Sequence, residues 1–547
     1  MTRPASLTPR PLWLCVAFGI AMAVGPAGCS YDHSPRTQLQ PHVQRPTTSA
    51  VLISVDGLNM ATLNDMLAAG ELPAIRRLID EGVRVETAVS GYPTITYAQF
   101  TSIQTGLYAG HHGILGNKWF DRYSLRFRGY DTISTYRDVD DDFLAPTLYE
   151  RLPDQVTVSI QNAIRRGVTR TIDNWASSGI RWFFGLFLDV DRLMSTRFEV
   201  VRDVANETGQ WPAFIHAYHP AVDEVGHRHG PRSEPYRQAV RNVDRQVTRI
   251  REALDTAEMA DRTYLVLLSD HGFEGVDEQF DVPDWLRRER GLKVTDRPFE
   301  NEWFEQRFRH FSRFDAVVIN GGNRRAVIHL RGLGGWSEPP AREAVQNLLQ
   351  ADPTTGRPGL IDHPGVELVA RPIEDDGDER VIELLSRTGR SQVQRRWHEG
   401  TKLYRFERLE GDALGDWTNE ALEQVIADGW HACDVWLTAT VDSLYPDLVV
   451  QMVEMFDTPR AGDIVLFAED GWDFGSSNRG GHGSITRSDM VVPMVFVGPG
   501  IPAGRTIPCA RLVDVAPTLL HLVRGRPLSP GEPPFDGIDR APELLHP

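Results

Sequence analysis

From Ala50 to Val55 the chain reads AVLISV, an unbroken apolar, β-rich run that ends in Asp56. Apolar residues at every position are expected of a strand buried on both faces of a parallel sheet. A helical pattern follows in MATLNDMLAAGELPAIRRLIDEG, and a second strand in VRVETAVS. The alternation returns with AFIHAYH, TYLVLLSD, DIVLFAED and VVPMVFVG, separated by helical or loop segments. Strands alternating with helices predict an α/β fold with a mainly parallel central sheet and helices on both faces.

Two long segments interrupt this pattern. Residues 118–210 carry the aromatic and Arg-rich stretches NKWFDRYSLRFRGYD and SSGIRWFFGLFLDVDRLM, and are expected to cover the site. Residues 274–461 mix charge-rich strands and helices and are expected to form an inserted cap subdomain. Residues 49–535 are then expected to form one domain that carries both segments, with no internal repeat. Residues 30–48, polar and Pro-containing without apolar periodicity, are expected to be a linker.

Residues 1–29 read as an export signal. Arg3 and Arg10 precede the apolar run PLWLCVAFGIAMAVG, which is short for a membrane span, and the small residues of PAGCS follow. Cys29 after Ala27-Gly28 resembles a bacterial lipoprotein cleavage site, although Pro26 stands where an aliphatic residue is usual. Plain secretion to the periplasm or cell surface, a lipid anchor on Cys29 and a single anchor helix all stay open. The chain has 547 residues and a formal net charge of −17, which argues against a nucleic-acid polymer as partner. Small anionic substrates stay admissible where metal ions supply positive charge.

The chemistry starts from GYPTITYAQFTSIQTGLYAGHHGILGN, Gly91–Asn117, which is rich in hydroxyls and has no charged side chain beyond its two histidines. Thr94, Thr96, Thr101, Ser102 and Thr105 are candidate nucleophiles without an adjacent base. Ligands in α/β sheets gather at the carboxyl ends of strands. Asp56 and the Asp270-His271 pair end two apolar runs, and Asp223 and His227 stand four apart after a third, sharing one helical face. His482 sits between glycines before a fourth. Each has an ordinary reading as a turn, a hydrogen-bonded pair or surface polarity. Together they offer three Asp and three His, a set suited to two divalent ions, zinc first, with open positions for substrate. A metal that acidifies a bound hydroxyl replaces the missing base.

In this order, Asp56, the Thr-rich segment ending in TGLYAGHHGILGN, DEVGHRHGP, SDHG and GGHGS resemble the nucleotide pyrophosphatase/phosphodiesterase family of the alkaline phosphatase superfamily. The resemblance covers most of residues 49–530 and implies an alkaline-phosphatase-like α/β sandwich with two zinc ions at the strand ends. It implies that Thr96 is the nucleophile, passing through a phosphothreonine, and that Asn117 holds a phosphate oxygen. One zinc would be bound by Asp56, Asp270 and His271 with Thr96, the other by Asp223, His227 and His482. Tyr97 matches a position that lines the substrate's organic group. The expected activity is hydrolysis of phosphodiester or pyrophosphate bonds in nucleotide-like or other small phosphate esters. A phosphomonoesterase and a catalytically silent surface binding protein are the alternatives. The chain departs from the family in reading TYAQ where Thr-Phe-Pro-Asn is common, and in placing 210 residues between His271 and His482.

The remaining candidates take structural readings. His111, His112, His216, His219 and His229 are expected to hydrogen-bond rather than ligate, and RWFFGLF to pack in a core. Arg165 and Arg166 are expected on a solvated helix face, and Asp514 at a helix N-cap. Cys433 and Cys509 either form a disulfide or stay as thiols.

Overall fold

The computed structural model describes residues 38–546 except 133, 174–180, 182–184, 353, 376–378, 416 and 476. The export signal and Trp182–Phe184 of RWFFGLF lie outside the described residues.

The apolar runs become β1 (Ser49–Val55), β2 (Val83–Val89), β3 (Thr157–Ile160), β4 (Arg170–Ile172), β5 (Phe214–His219) and β6 (Thr263–Ser269). A second group follows: β7 (Val294–Thr295), β8 (Ala316–Gly321), β9 (Arg325–Leu330), β10 (Val366–Asp375), β11 (Glu379–Leu385), β12 (Gly389–His398), β13 (Thr401–Gly411) and β14 (Ile464–Ala468). The chain ends in β15 (Val491–Val492), β16 (Met494–Val497) and β17 (Arg505–Arg511).

The first and last groups form one nine-stranded sheet in which β1 lies between β5 and β6, parallel to both. β3 and β4 extend it in parallel beyond β5. On the other side β16 runs antiparallel between β6 and β2, and β17 pairs in parallel with β2. The central sheet is thus mainly parallel, as its apolar runs imply. Helices cover it, and the 23-residue helix Glu234–Thr256 shows why. Ser233 caps its first turn by accepting from Tyr236 N–H, and Tyr236, Val240, Val243, Val247, Ile250 and Leu254 recur at helical spacing and are all buried.

The middle group forms a separate eight-stranded sheet, antiparallel except for the β7–β8 pair. The run DIVLFAED, expected in the central sheet, is β14 of this second sheet, between β9 and β10. Its five strand residues are buried, and complete burial on both faces marks an interior strand without saying of which sheet. Three further expectations change. Residues 118–210 are not only a cover, because β3 and β4 belong to the central sheet. Residues 38–48 are not a free linker: Gln44 N–H donates to Gly209 O at 2.8 Å, Trp211 N–H to Gln44 O at 2.8 Å, and Val43 is buried. Arg165 and Arg166 lie in a loop rather than on a helix, their backbone N–H groups bound to Asp140 Oδ1 at 2.8 and 3.1 Å.

The Gly91–Asn117 segment lies between the sheets. It contains α1 (Thr96–Thr105) and the short turn of helix Ala109–His112. Val89, Tyr92, Ala98, Tyr108 and Leu115 share one apolar core with Val393, Phe406 and Phe467 of the second sheet. A buried ion network fastens the same contact. His111 Nε2 lies 2.8 Å from Glu454 and 2.9 Å from Asp457, and its Nδ1 lies 2.5 Å from Asp536. Lys402 of β13 meets Glu454 at 2.7 Å, and Arg395 of β12 meets both Glu454 and Asp457. These cations already answer the carboxylates, so the cluster is read as an ion network rather than a metal site.

A second buried pair ties β17 to the helix Leu448–Met455. Arg511 donates to both oxygens of Asp447 at 2.7 Å, a bidentate contact with neither partner exposed. Removing one member of such a pair strands the other charge and costs about 3–5 kcal/mol. Arg511→Met is therefore expected to lose that much in urea denaturation, with part regained in the double variant Arg511→Met/Asp447→Asn; a loss under about 1 kcal/mol contradicts it. His111 gives a pH-dependent counterpart. Burial opposes its protonation, but the hydrogen bonds to Asp457, Asp536 and Glu454 outweigh burial and push the imidazole up to about 11. A raised pKa stabilises fully below the unfolded value, about 6.5, and the contribution fades as pH rises toward 11. The stability gap between wild type and His111→Gln, followed by denaturation in a pH series, is expected to be widest near pH 6 and to narrow through that window; a gap that widens with pH contradicts the assignment.

Candidate metal-dependent active site

Four strand ends and one loop converge at the carboxyl edge of the central sheet. Asp56 follows β1, Asp270 and His271 follow β6, and the Gly91–Asn117 segment leaves β2 to place Thr96 as the first residue of α1. Beyond β5 the helix Ala221–His229 carries Asp223 and His227 on one face, as their spacing predicts. His482 enters from the loop before β15. Gly57 makes the turn after Asp56 with φ +63°, and a Cβ there would stand 2.9 Å from Asp223 Oδ1.

The structure brings all seven proposed ligand residues together. Thr96 Oγ1 is 3.5 Å from Asp56 Oδ1 and 3.3 Å from His271 Nε2. His271 Nε2 is also 3.3 Å from Asp56 Oδ1 and 3.4 Å from Asp270 Oδ2. On the other side, Asp223 Oδ1 is 3.4 Å from His482 Nε2 and Asp223 Oδ2 is 3.5 Å from His227 Nε2. The His271 and His482 rings stack at 3.7 Å, so the two halves adjoin. Ligand atoms of Asp56, Asp270 and His271, and of Asp223, His271 and His482, lie within 4.8 Å of one another in each group.

Two features fit these residues to divalent cations. Each histidine donates Nδ1–H to a backbone carbonyl: His227 to Gly480 at 2.8 Å, His271 to Gly272 at 3.0 Å and His482 to Thr94 at 2.7 Å. With cations in place of the Nε2 protons, that arrangement would turn every Nε2 lone pair toward the carboxylates. Asp223 Oδ1 and Asp270 Oδ2 are buried without a hydrogen-bond donor among the described residues. The charges agree. Burial, then repulsion by Asp56, pushes Asp270 up to about 8 and Asp223 well above the carboxylate range. Burial lowers His482, reinforced by His271 and His227. Cations between these groups would relieve both strains.

The five hydroxyls now separate. Thr94 Oγ1 donates to Ser484 O at 2.7 Å, Thr101 to Tyr97 O and Thr105 to Thr101 O at 2.7 Å, and Ser102 meets His112 at 3.0 Å. Only the Thr96 hydroxyl faces the carboxylates. Asn117 Oδ1 accepts from Tyr97 N–H at 3.4 Å, which puts the amide beside the start of α1 with its N–H groups left as donors. Tyr97 packs against Tyr130 at 5.1 Å and donates to Tyr130 O, forming a wall beside Thr96.

Of the remaining histidines, His216 binds Ser54, Gln104 and Asn162 under the sheet. His219, expected to hydrogen-bond, has no partner for either ring nitrogen among the described residues, and burial pushes it down to about 3. His229 is exposed. Cys433 and Cys509 are free thiols.

Three supports were not anticipated from sequence. Tyr218 Oη donates to Asp56 Oδ2. Gln99, the last residue of TYAQ, accepts from Gly91 N–H at 2.9 Å and donates to Pro93 O at 2.7 Å, closing the loop that leads to Thr96. The β8–β9 turn of the second sheet grips His482: His482 N–H donates to Gly322 O and Arg324 N–H to His482 O, each at 2.9 Å. The only sequence signal for that grip is the glycine pair of NGGNRR, which marks a turn without naming what it meets.

The sequence profile of the type I phosphodiesterase / nucleotide pyrophosphatase family matches residues 50–489. The chain belongs to this family. It is 26% identical over 235 residues to an uncharacterized pyrophosphatase/phosphodiesterase of Schizosaccharomyces pombe, a match covering 41% of this chain and 44% of that protein. It is 28% identical over 240 residues to human ectonucleotide pyrophosphatase/phosphodiesterase family member 1, covering 42% of this chain and 24% of the human one. These matches thus span less than half the length of either relative. The structure resembles murine ectonucleotide pyrophosphatase/phosphodiesterase 5 with a TM-score of 0.53 and 15% identity, over 90% of this chain and 97% of that one. An inactive form of the murine protein, with a threonine changed to alanine and AMP bound, matches with a TM-score of 0.52 and 16% identity, over 91% and 100%. At this identity the likeness establishes the fold.

Within this family member the grip on His482 is testable. Gly322 has φ +62°, and a Cβ there would stand 2.5 Å from His482 O and 2.7 Å from its Nδ1. Gly322→Ala is expected to fold but to weaken divalent-metal affinity by about 10- to 100-fold, the range for losing a support of a metal-binding histidine. Metal titration of the purified variant checks this, and wild-type affinity would refute it.

Proposed function

We propose that the protein is an exported hydrolase that cleaves phosphodiester or pyrophosphate bonds of nucleotide-like or other small phosphate esters, with Thr96 as nucleophile and two zinc ions as cofactors. The observation that carries the reading is the placement of the Thr96 hydroxyl at the N-terminus of α1, 3.3 Å from His271 Nε2 and 3.5 Å from Asp56 Oδ1. Asp56, Asp270 and His271 would hold one zinc and Asp223, His227 and His482 the other. When bound, the ions would neutralise the buried carboxylates, acidify the Thr96 hydroxyl and offset charge on the transferring phosphoryl group.

The chain's own groups do the rest. Thr96 Oγ1 would form a bond to phosphorus as the bond to the leaving oxygen breaks and that oxygen takes up the hydroxyl proton, giving a phosphothreonine that still carries the substrate's organic substituent. Water would then cleave the Thr96–phosphate bond in line, returning a proton to Thr96 and releasing the phosphate monoester. The first-turn N–H groups of α1 point their dipoles at the anionic centre, and the Asn117 amide donates to a phosphoryl oxygen. Tyr97 and Tyr130 flank the organic substituent. The AMP-bound, threonine-substituted murine relative is in keeping with this assignment. Export, with a lipid on Cys29 as one form of it, rests on residues 1–29; no helix among the described residues is long and apolar enough to cross a membrane. We take residues 49–535 as the catalytic unit and 274–461 as its main insertion.

Charge favours the diester over the monoester. Arg166 is held by Glu150 at 3.1 Å, and Arg165 faces Asp140 and Asp173 at 3.6 and 3.7 Å, so neither guanidinium is left for a second phosphate charge. Thr96→Ala is expected to keep wild-type zinc content by elemental analysis while turnover of a nucleotide p-nitrophenyl diester falls roughly 10^3-fold or more. The wild type is expected to prefer that diester to p-nitrophenyl phosphate. Normal turnover in the variant would sink the nucleophile, and a monoester preference would sink the substrate class.

A further inference from the structure

At the opposite pole, where β1, β3 and β5 begin, the surface folds into a groove of about 810 Å³. The segment Gln44–Thr48, the turn Arg151–Gln155 and the end of the helix Val515–Arg524 line it. Arg45, Arg151, Arg524 and Arg526 present four guanidinium groups there against one lining carboxylate, Asp154, in a chain whose net charge is −17.

These arginines are incompletely answered. Arg524 and Arg526 share one carboxylate, Glu532, at 2.7 and 3.5 Å. Arg45 reaches Glu258 at 3.4 Å, a residue largely in solvent. Arg151 is 7% exposed and has no carboxylate partner among the described residues; its Nη1 donates to Pro533 O at 2.9 Å and its guanidinium lies 4.1 Å from the centre of the Phe535 ring. Arg45 Nε, Arg151 Nε and the indole Nε1 of Trp211, itself 2% exposed, are buried donors without acceptors among the described residues. Burial, then the like charge of Arg524, lowers the Arg151 pKa. Leaving donors and positive charge uncompensated costs stability unless something supplies acceptors.

We propose that this groove is a binding site for a phosphate-bearing anion, separate from the active site. Guanidinium forks match phosphate oxygens in pairs, and the volume exceeds what inorganic phosphate alone would fill. The seven-residue strand β1 places the groove roughly 20 Å from Asp56, at about 3.3 Å per residue, so one ligand of ordinary size does not span both. The groove flanks the segment through which residues 1–37 join the fold. The phosphate therefore belongs either to a lipid headgroup of a membrane near the N-terminus or to a soluble phosphate ester.

The test uses zinc-loaded, lipid-free protein and Arg45→Gln/Arg526→Gln, whose side chains are 29% and 50% exposed and touch no catalytic group. Equilibrium dialysis against radiolabelled inorganic phosphate is expected to give two bound phosphates per wild-type chain and one per variant chain, with diester turnover unchanged. Co-sedimentation with vesicles separates the sources. Retention on phosphatidylglycerol but not phosphatidylcholine vesicles, lost in the variant, assigns a lipid headgroup; a second bound phosphate without retention assigns a soluble ester. One phosphate per chain in both proteins, with vesicle retention absent or undiminished in the variant, overturns the proposal.

Discussion

Everything at the carboxyl edge of the central sheet answers one electrostatic difficulty: three carboxylates are held around a hydroxyl where water hardly reaches. Asp56 is 4% exposed and Asp270 fully buried, and the repulsion between them is visible in the upward displacement of Asp270. Such a set persists only when its geometry is imposed from outside and cations can enter it. The imposition comes largely from backbone. Three Nδ1–H donors end on carbonyls of Gly480, Gly272 and Thr94, and Asp270 Oδ1 accepts Gly57 N–H at 3.2 Å. Backbone partners move less than side chains, so the Nε2 atoms keep their bearing on the carboxylates before any metal arrives.

The second sheet has a part in that rigidity. Its β8–β9 turn binds both sides of His482, while β12 and β13 anchor His111 through Arg395, Lys402 and Glu454. The two attachments lie on either flank of the segment bearing Thr96. His482 and Thr96 are therefore referred to the same external frame, and the second sheet behaves as half of the clamp. This also explains how the segment can carry TYAQ: Gln99 ties the loop from Gly91 to Pro93 with its own amide, so the turn before Thr96 is fixed from within.

How much of this the sequence disclosed follows from range. Strand ends were legible because a buried parallel strand is apolar throughout and its first polar residue stands out, as Asp56 and Asp270 do. The Asp223–His227 pair was legible because four-residue spacing fixes a shared helical face. Sheet membership was not, since β14 is as apolar as β1 and belongs elsewhere. The linker reading of residues 38–48 failed because two backbone bonds to Gly209 and Trp211 leave no mark on side-chain pattern. Arg165 and Arg166 read as a helix face because their packing depends on Asp140 and Glu150, which lie before them in the chain and on no common period. The choice of Thr96 over Thr94 came from resemblance; that Ser484 O occupies the Thr94 hydroxyl could not be read from the sequence.

Substrate class then reduces to an account of positive charge. A phosphate monoester carries nearly one more negative charge than a diester at neutral pH, and a site that selects it must supply a matching cation beyond its metals. Here Arg165 and Arg166 are directed at Asp140, Asp173 and Glu150. What flanks Thr96 instead is aromatic: Tyr97, with its phenol bound to Tyr130 O and burial raising its pKa beyond the physiological range, stays a neutral wall. A neutral wall accepts an organic substituent and gives nothing to an additional charge. Cations proposed to relieve Asp56, Asp270 and Asp223 would be largely consumed by them, and the proposed preference follows, since what they would leave is a net charge suited to a singly anionic phosphoryl centre.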